Sequence, residues 1–230
     1  MGYRRDLFAP DEWYHCYTRS VERSLDTRSV FADAADSERF LEALHLANST
    51  EPIRRSDLYR PTHQDILNLD RKQPLVSIGA YCLMPTHFHL LLKENVEGGI
   101  SKVMQTVGTA FSMYYNIKHQ RIGNVFVKPF RSKRVADDTY LKHVVNYIHL
   151  NPAELYEPRW KDGLISNLAR LEHSLRSYHF SSLPDYQGIE RPERALLDPE
   201  AMTLAANTDQ SLSELLEETR DFYKEYESDF

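Results

Sequence analysis

Residues 81–92 read Tyr-Cys-Leu-Met-Pro-Thr-His-Phe-His-Leu-Leu-Leu, two apolar runs separated by Pro85-Thr86. Each run is typical of a buried strand and Pro-Thr is a turn signal, so we predict an antiparallel pair of strands over residues 75–84 and 87–93. Side chains alternate faces along a strand, so His87 and His89 point to one face of the sheet and Phe88 to the other. Two imidazoles on one strand form half of a metal site.

Amphipathic helices are predicted on either side of this hairpin in the sequence. Residues 37–48 and 100–119 carry apolar side chains at three- and four-residue spacing. We expect Asp36 or Ser37 to cap the first helix. The apolar stripe of the second helix consists of Ile100, Val103, Val107, Phe111, Tyr114 and Ile117.

Further strands are predicted before and after these helices. Residues 13–20, WYHCYTRS, are rich in aromatic side chains and predict a first strand. Residues 124–135 predict a last strand, in which Pro129 indicates an edge or a bulge because proline has no N–H. Asp137 or Asp138 then caps a helix that ends near residue 150.

The predicted order is β-α-β-β-α-β-α, which fits an α+β fold with a ferredoxin-like antiparallel sheet and helices packed on one face. We assign residues 1–155 to this domain, with a polar insertion at about 49–74 that contains a short helix at 64–69. Residues 156–230 form a C-terminal extension with an acidic tail and a helix at 211–226.

The acidic residues are concentrated near the end of the chain. The net charge is −6, but residues 185–230 hold 13 acidic and 4 basic residues, so residues 1–184 have a net charge of +3. A segment without acidic residues contains Lys118, Arg121, Lys128, Arg131, Lys133 and Arg134. Such a patch suits a phosphate backbone, although a solvated surface strand would have the same composition.

The sequence contains no sign of membrane insertion or export. No apolar run approaches the roughly 20 residues that a membrane span needs, and the basic start of the chain lacks the apolar stretch of a secretory signal. Cys16 and Cys82 lie in strand-like runs, which favours buried reduced thiols over a disulfide. We therefore expect a cytoplasmic protein.

A second group of candidate residues lies in the helix that ends near residue 150. Tyr147 and Asn151 are spaced i, i+4 and so share one helix face, with His143 one turn earlier. If this face meets His87 and His89, two imidazoles and an amide oxygen provide three ligands, which suits Mg²⁺ or Mn²⁺ better than structural zinc. Taken singly, each residue also has an ordinary structural explanation, since most histidines and most of the 14 tyrosines are not site residues.

Three strings, in this order, resemble the REP-associated tyrosine transposases, a branch of the single-tyrosine HUH (IS200-like) transposases. They are His87-Phe88-His89, Gly123-Asn-Val-Phe126 with the basic strand after it, and Tyr147-Ile-His-Leu-Asn151-Pro152. In that family the strand reads Pro-Asn-His-hydrophobic-His before leucines, and the helix carries Tyr-hydrophobic-x-x-Asn-Pro. The resemblance covers roughly residues 12–180, with Thr86 in place of the usual Asn and Ala153-Glu154 in place of the usual apolar-basic pair.

The resemblance implies an HUH endonuclease fold and a transposase that cleaves and rejoins hairpin-flanked single-stranded DNA through a 5′-phosphotyrosine intermediate. It implies that Tyr147 is the nucleophile and that His87, His89 and Asn151 bind Mg²⁺ or Mn²⁺. Lys128, Arg131, Lys133 and Arg134 would then hold the DNA backbone, and His143 could assist ionisation of the phenol.

Two other functions are compatible with the sequence. One is a domesticated hairpin-DNA-binding protein that keeps the fold and does not cut. The other is a metal-dependent phosphoesterase for small nucleotides, which needs neither a nucleophilic tyrosine nor a basic strand. The sequence leaves open the DNA sequence recognised, a monomer or a homodimer, action of the tyrosine in its own subunit or in a partner, and the role of the acidic tail.

Overall fold

The structure is a computed structural model that describes residues 8–21, 29–31, 33–51, 53–205 and 210–226. Within these ranges one antiparallel sheet has the strand order β2-β3-β1-β4. Its strands are β1 (Trp13–Arg19), β2 (Val76–Met84), β3 (His87–Glu94) and β4 (Arg131–Arg134). The predicted α+β class and ferredoxin-like antiparallel sheet are confirmed. The basic start of the chain, residues 1–7, lies outside the described residues.

One face of the sheet is covered by α1 (Ala34–Ala47) and α3 (Gly99–Lys118). The ring of Phe40 on α1 lies 4.7 Å from that of Phe88 on β3 and 5.4 Å from that of Phe111 on α3, measured between centroids. This aromatic core fixes the orientation of β3, because Phe88 must point into it and the flanking histidines must then point the other way.

Two details of these helices differ from the prediction. The side chain of Asp33, rather than Asp36 or Ser37, caps α1 by accepting a backbone N–H of its first turn. Asp36 is buried instead and accepts a 2.8 Å hydrogen bond from Nζ of Lys118, because the end of α3 packs against the start of α1. Ile117, assigned to the apolar stripe of α3, is 79% exposed and lines a surface groove between the two helices.

The opposite face of the sheet is covered by α4 (Asp138–Leu150), and α9 (Leu212–Tyr226) packs on α4. Val144 and Ile148 of α4 share a buried cluster with Ala80 and Cys82 of β2. The small side chains of β2 allow a helix to approach this face. The predicted packing of helices on one face of the sheet describes α1 and α3. The helix α4 adds a second helix layer on the opposite face. The helix predicted near the end of the chain is present as α9.

The last strand is shorter than the predicted residues 124–135. Before β4, the chain makes only scattered bonds to the end of β1, such as the 2.9 Å bond from the N–H of Val127 to the carbonyl of Arg19. Pro129 has no N–H, so a continuous ladder cannot form through it. The buried side chains of Val125 and Phe126 anchor this segment in the core under α1 and α3.

The C-terminal extension pairs with the outer edge of β2. The N–H of Ser182 donates to the carbonyl of Tyr81 at 2.9 Å, and the N–H of Leu83 donates to the carbonyl of Phe180 at 2.8 Å. These bonds protect an edge strand that would otherwise be open to other chains. The division at residue 155 stays a prediction.

Short helices complete the described chain. The insertion contains α2 (His63–Leu67), close to the predicted helix at 64–69, and α5 (Ala153–Tyr156) follows directly after α4. The extension contains α6 (Leu168–Arg176), α7 (Leu183–Tyr186) and α8 (Pro199–Leu204). In the part of the chain that the structure describes, no helix is long and apolar enough to cross a membrane.

Candidate active site

The strand β3 presents His87 and His89 on the side of the sheet that α4 covers. His89 lies opposite Tyr17 of β1 and Cys82 of β2 in the strand register. The two imidazole rings are nearly perpendicular, at 88°, with centroids 5.1 Å apart. Strand alternation therefore brings both imidazoles to one side, next to the carboxyl end of α4.

Burial keeps both imidazoles uncharged at neutral pH. It lowers the pKa of His89 well below its ordinary value, and the positive charge of protonated His15 or His87 would lower it further. Burial also lowers the pKa of His87, although Glu154 and Asn151 act in the opposite direction. A neutral imidazole has a lone pair on one ring nitrogen, so each ring can bind a metal ion without first losing a proton.

Asn151 lies at the end of α4, beside His87. Its Nδ2 donates a 2.8 Å hydrogen bond to the carbonyl of Tyr147, which fixes the orientation of the amide. A hydrogen bond between the side chain of Asn151 and His87 raises the pKa of the imidazole, as an accepting oxygen does. The amide oxygen therefore faces His87, and Asn151 is only 4% exposed.

Tyr147 lies one turn earlier on α4 and contacts the imidazole of His89. Its ring is edge-on to His89, with centroids 5.5 Å apart and an interplanar angle of 80°. On its other side it packs against Tyr223 of α9, at a centroid distance of 4.3 Å. Tyr147 is 2% exposed. The tyrosine and the three candidate ligands are thus neighbours within one subunit.

A cavity of about 690 Å³ is lined by these four side chains. Three cationic residues, Arg19, Arg131 and Lys161, also line it, together with the carboxylate of Glu154. Nζ of Lys161 lies 3.3 Å from the carboxylate of Glu154, so that pair is charge-compensated. The cationic side chains that line the cavity suit an anionic ligand such as a phosphodiester.

Comparison with known proteins identifies the region that carries this site. Residues 56–151 match the family described as Transposase IS200 like. This region belongs to the IS200-like transposase family. His87, His89, Tyr147 and Asn151 all lie inside it, and the predicted IS200-like family is confirmed for these residues. No curated protein matches the chain.

A solved structure shares the fold over most of this chain. It is described as a REP-associated tyrosine transposase bound to a REP hairpin, and the match covers 92% of this chain and 100% of that chain. The TM-score is 0.51 and the sequence identity is 14%. At this identity the likeness establishes the fold alone. The shared fold includes residues on both sides of the IS200-like region.

Several residues that complete the site lie outside the IS200-like region and were missed from the sequence. His15 of β1 forms a 2.9 Å hydrogen bond with Nδ1 of His89 through its Nε2. The alternation in WYHCYTRS does place His15, Tyr17 and Arg19 on one strand face. Their meeting with His89 depends on the register between β1 and β3, which no local signal predicts. Lys161 had no signal at all.

His143 was expected to assist the phenol, and the structure places it differently. Its Nδ1 lies 3.5 Å from the carboxylate of Glu218 on α9, and its ring stacks on Phe222 at 5.7 Å. It is not among the cavity-lining residues in the described part of the chain. The i, i+4 relation to Tyr147 is correct, but α9 covers that part of the helix face.

The four predicted DNA-binding residues differ in whether they line the cavity. Arg131 lines the cavity, whereas Lys128, Lys133 and Arg134 are not among its described lining residues. The guanidinium of Arg134 is engaged by the carboxylate of Glu12, at 2.6 and 3.1 Å. Arg131 is therefore the member of the set best placed to meet a ligand in the cavity.

The donor set of the IS200-like region fits a divalent cation. Two neutral imidazoles and an oriented amide oxygen provide mixed nitrogen and oxygen ligation without thiolate. Among the described residues, no group of three or more His, Cys, Asp or Glu side chains could hold a metal ion. The amide oxygen of Asn151 is a candidate third ligand beside His87 and His89, because Asn151 faces His87 and lines the same cavity.

Proposed function

We propose that this chain cleaves and rejoins hairpin-flanked single-stranded DNA, with Tyr147 as the nucleophile and Mg²⁺ or Mn²⁺ held by His87, His89 and Asn151. The convergence of these four side chains on one cavity carries the proposal. The family of residues 56–151 supports the reaction class, and the REP hairpin in the similar solved structure supports the substrate. The protein would act in the cytoplasm, as a monomer or a homodimer.

The reaction is a transesterification at a scissile phosphate. A bound divalent cation would stabilise the negative charge that develops on the phosphate oxygens. The Oη of Tyr147 gives up its proton to water and attacks phosphorus, the bond to the 3′-oxygen breaks, and a 3′-hydroxyl leaves. The resulting 5′-phosphotyrosine conserves the bond energy, so a second 3′-hydroxyl can attack phosphorus, rejoin the strands and release Tyr147.

In this mechanism the cationic residues that line the cavity hold the DNA and neutralise the charge of its phosphates. Arg131 and Arg19 line the cavity, and their guanidinium groups are suited to contact the phosphates on either side of the scissile bond. Lys161 is shared with Glu154 and contributes less net charge. Positioning by these contacts supplies the alignment that in-line attack requires.

One observation favours a second candidate function, a hairpin-DNA-binding protein that does not cut. Tyr147 is 2% exposed, and the ring of Tyr223 covers it at a centroid distance of 4.3 Å. A nucleophile must reach the phosphate, and a phenol that stays under α9 does not. Detection of a covalent adduct separates the two functions.

The decisive experiment is Tyr147→Phe, assayed with a labelled hairpin oligonucleotide that carries a single-stranded flank. The wild-type protein should form a covalent protein–DNA adduct on a denaturing gel with Mn²⁺, and the variant should form none while hairpin binding is unchanged. Tyr59→Phe is the matched control, because Tyr59 is 91% exposed and distant in sequence from the site. Undiminished adduct from Tyr147→Phe would remove it as the nucleophile, and tight binding without adduct by the wild type would support the non-cleaving function.

The metal assignment is tested with His87→Ala. After treatment with EDTA, addition of Mn²⁺ should restore cleavage by the wild-type protein but not by the variant, with a loss of roughly 100-fold or more in rate. His173→Ala on α6 is the matched control, since His173 is exposed and does not line the cavity. Cleavage that ignores both EDTA and His87→Ala would exclude the metal site.

A further inference from the structure

A second buried histidine lies directly behind His89. Nε2 of His15, on β1, is 2.9 Å from Nδ1 of His89, and the two rings are roughly parallel at a centroid distance of 5.1 Å. His15 is 0% exposed and His89 is 1% exposed. Burial first, and then the positive charge of Lys133, lower the pKa of His15 to about 3, so this ring is neutral. The contact is therefore a single hydrogen bond between two uncharged imidazoles.

The direction of that hydrogen bond decides what His89 can do. If Nδ1 of His89 carries the proton and donates it, Nε2 of His89 keeps its lone pair and can bind a metal ion. If His15 donates instead, Nδ1 of His89 is the acceptor and Nε2 carries the proton, so neither nitrogen of His89 can bind metal without a rearrangement. Only the first arrangement is compatible with His89 as a ligand.

We propose that His15 is a positioning residue that accepts the N–H of His89 and thereby fixes His89 in the tautomer and orientation that bind metal through Nε2. This inference rests on the proposed metal site of His87, His89 and Asn151. Metal-bound histidines usually donate their second N–H to a carboxylate, a carbonyl or water. A neutral imidazole in that place holds the ring without adding negative charge beside an incoming phosphodiester.

The surroundings of His15 show why an imidazole fits there. Its ring is edge-on to Tyr147 at 5.5 Å and lies 5.0 Å from the ring of Tyr17. The buried imidazole of His15 thus contacts both Tyr147, the candidate nucleophile, and His89, the candidate ligand. A longer or charged acceptor in this layer would separate Tyr147 from His89 or require desolvation of a charge.

The test compares His15→Leu, which removes the acceptor, with His15→Gln, which offers an amide oxygen in its place. Mn²⁺ affinity of the metal-free protein is measured by electron paramagnetic resonance titration. We expect His15→Leu to weaken Mn²⁺ binding by roughly 10- to 100-fold and His15→Gln to recover most of that loss. The matched control is His149→Leu, since His149 is also buried and bonds Ser182 at 2.8 Å in the same core but does not line the cavity. The control should leave Mn²⁺ affinity unchanged.

A second measurement needs no variant. The ¹⁵N chemical shifts of the metal-free wild-type protein report which nitrogen of His89 carries the proton, and we expect Nδ1. A proton on Nε2 of His89 would overturn the inference, as would folded His15→Leu that binds Mn²⁺ as tightly as the wild type. His89→Ala separates the two levels. If it does not weaken Mn²⁺ binding, the metal site itself is wrong, and if it does while His15→Leu does not, only the role of His15 is wrong.

Discussion

Asn151 serves two neighbours with the two ends of one amide. Nδ2 donates to the carbonyl of Tyr147 at 2.8 Å, and the oxygen faces His87. Because the donor end is engaged inside α4, the acceptor end cannot rotate away from His87. A residue at the end of a helix before proline thereby acquires a fixed orientation, which is what a metal ligand needs.

Replacement of Asn151 by Asp should separate its two contacts. The carboxylate keeps an oxygen for the cation but no longer donates to the carbonyl of Tyr147, so the metal-free protein should lose about 1–3 kcal/mol of stability. Mn²⁺ should raise the melting temperature of Asn151→Asp at least as much as that of the wild type. Asn167→Asp is the control, because either residue can cap α6. A variant of unchanged stability that no longer responds to Mn²⁺ would contradict this assignment.

The strand β4 shows how the alternation of side chains divides a run of basic residues between two faces of the sheet. Arg131 pairs with Tyr17 and Lys133 with His15, so both lie on the sheet face of the candidate site. Arg134 points to the other face and is paired with Glu12. The sequence predicted Lys128, Arg131, Lys133 and Arg134 as one DNA-binding set, but the pairing of β4 with β1 puts the members within β4 on different faces of the sheet.

The substitutions Arg131→Ala and Arg134→Ala should therefore differ in their effect on DNA binding. Arg131→Ala should weaken binding of a single-stranded oligonucleotide roughly five- to tenfold and reduce the slope of log Kd against log salt by about 1, as loss of one phosphate contact does. Arg134→Ala should change both quantities much less, since its side chain lies on the other face of the sheet and is paired with Glu12. Fluorescence anisotropy at several salt concentrations measures both. Equal effects of the two variants would show that the cavity is not where the strand binds.

At the scale of the whole molecule, a charged cluster joins the insertion to the C-terminal extension. The imidazole of His63, at the start of α2, lies 3.5 Å from the carboxylate of Glu42 on α1 and 3.4 Å from that of Glu193 in the extension. Burial alone would lower the pKa of His63, but the two carboxylates, Glu193 first, raise it to about 9. Segments distant in sequence are thus held by one protonated imidazole.

The stability of the protein should depend on pH through His63. Its pKa in the folded state, about 9, is above the unfolded value near 6.5, so its contribution is complete below pH 6.5 and is lost as pH rises through 9. We expect about 1–2 kcal/mol, less than the full pKa shift would give, because the N···O distances exceed those of strong hydrogen bonds. Urea unfolding of wild type and His63→Gln should show this gap at pH 6 and little of it at pH 9.5. His179→Gln, at an exposed position, should show no gap at either pH. A gap of equal size at both pH values would exclude protonation of His63 as its cause.

The local features of this protein are determined by its sequence. The alternation in β3 predicts that His87 and His89 share a face, and the i, i+4 spacing in α4 predicts that Tyr147 and Asn151 do, because both depend only on the geometry of a single element. The order of elements was sufficient to predict the antiparallel ferredoxin-like sheet, and the three strings were sufficient to predict the family.

Which of these local arrangements come into contact depends on how the elements pack in three dimensions. The register of β1 against β3 places His15 behind His89, and the docking of α4 on the second sheet face places Tyr147 and Asn151 beside the imidazoles. The packing of α9 turns His143 away from the cavity and covers Tyr147. These are contacts between residues tens of positions apart, and their geometry is set by packing of whole apolar faces rather than by any local pattern.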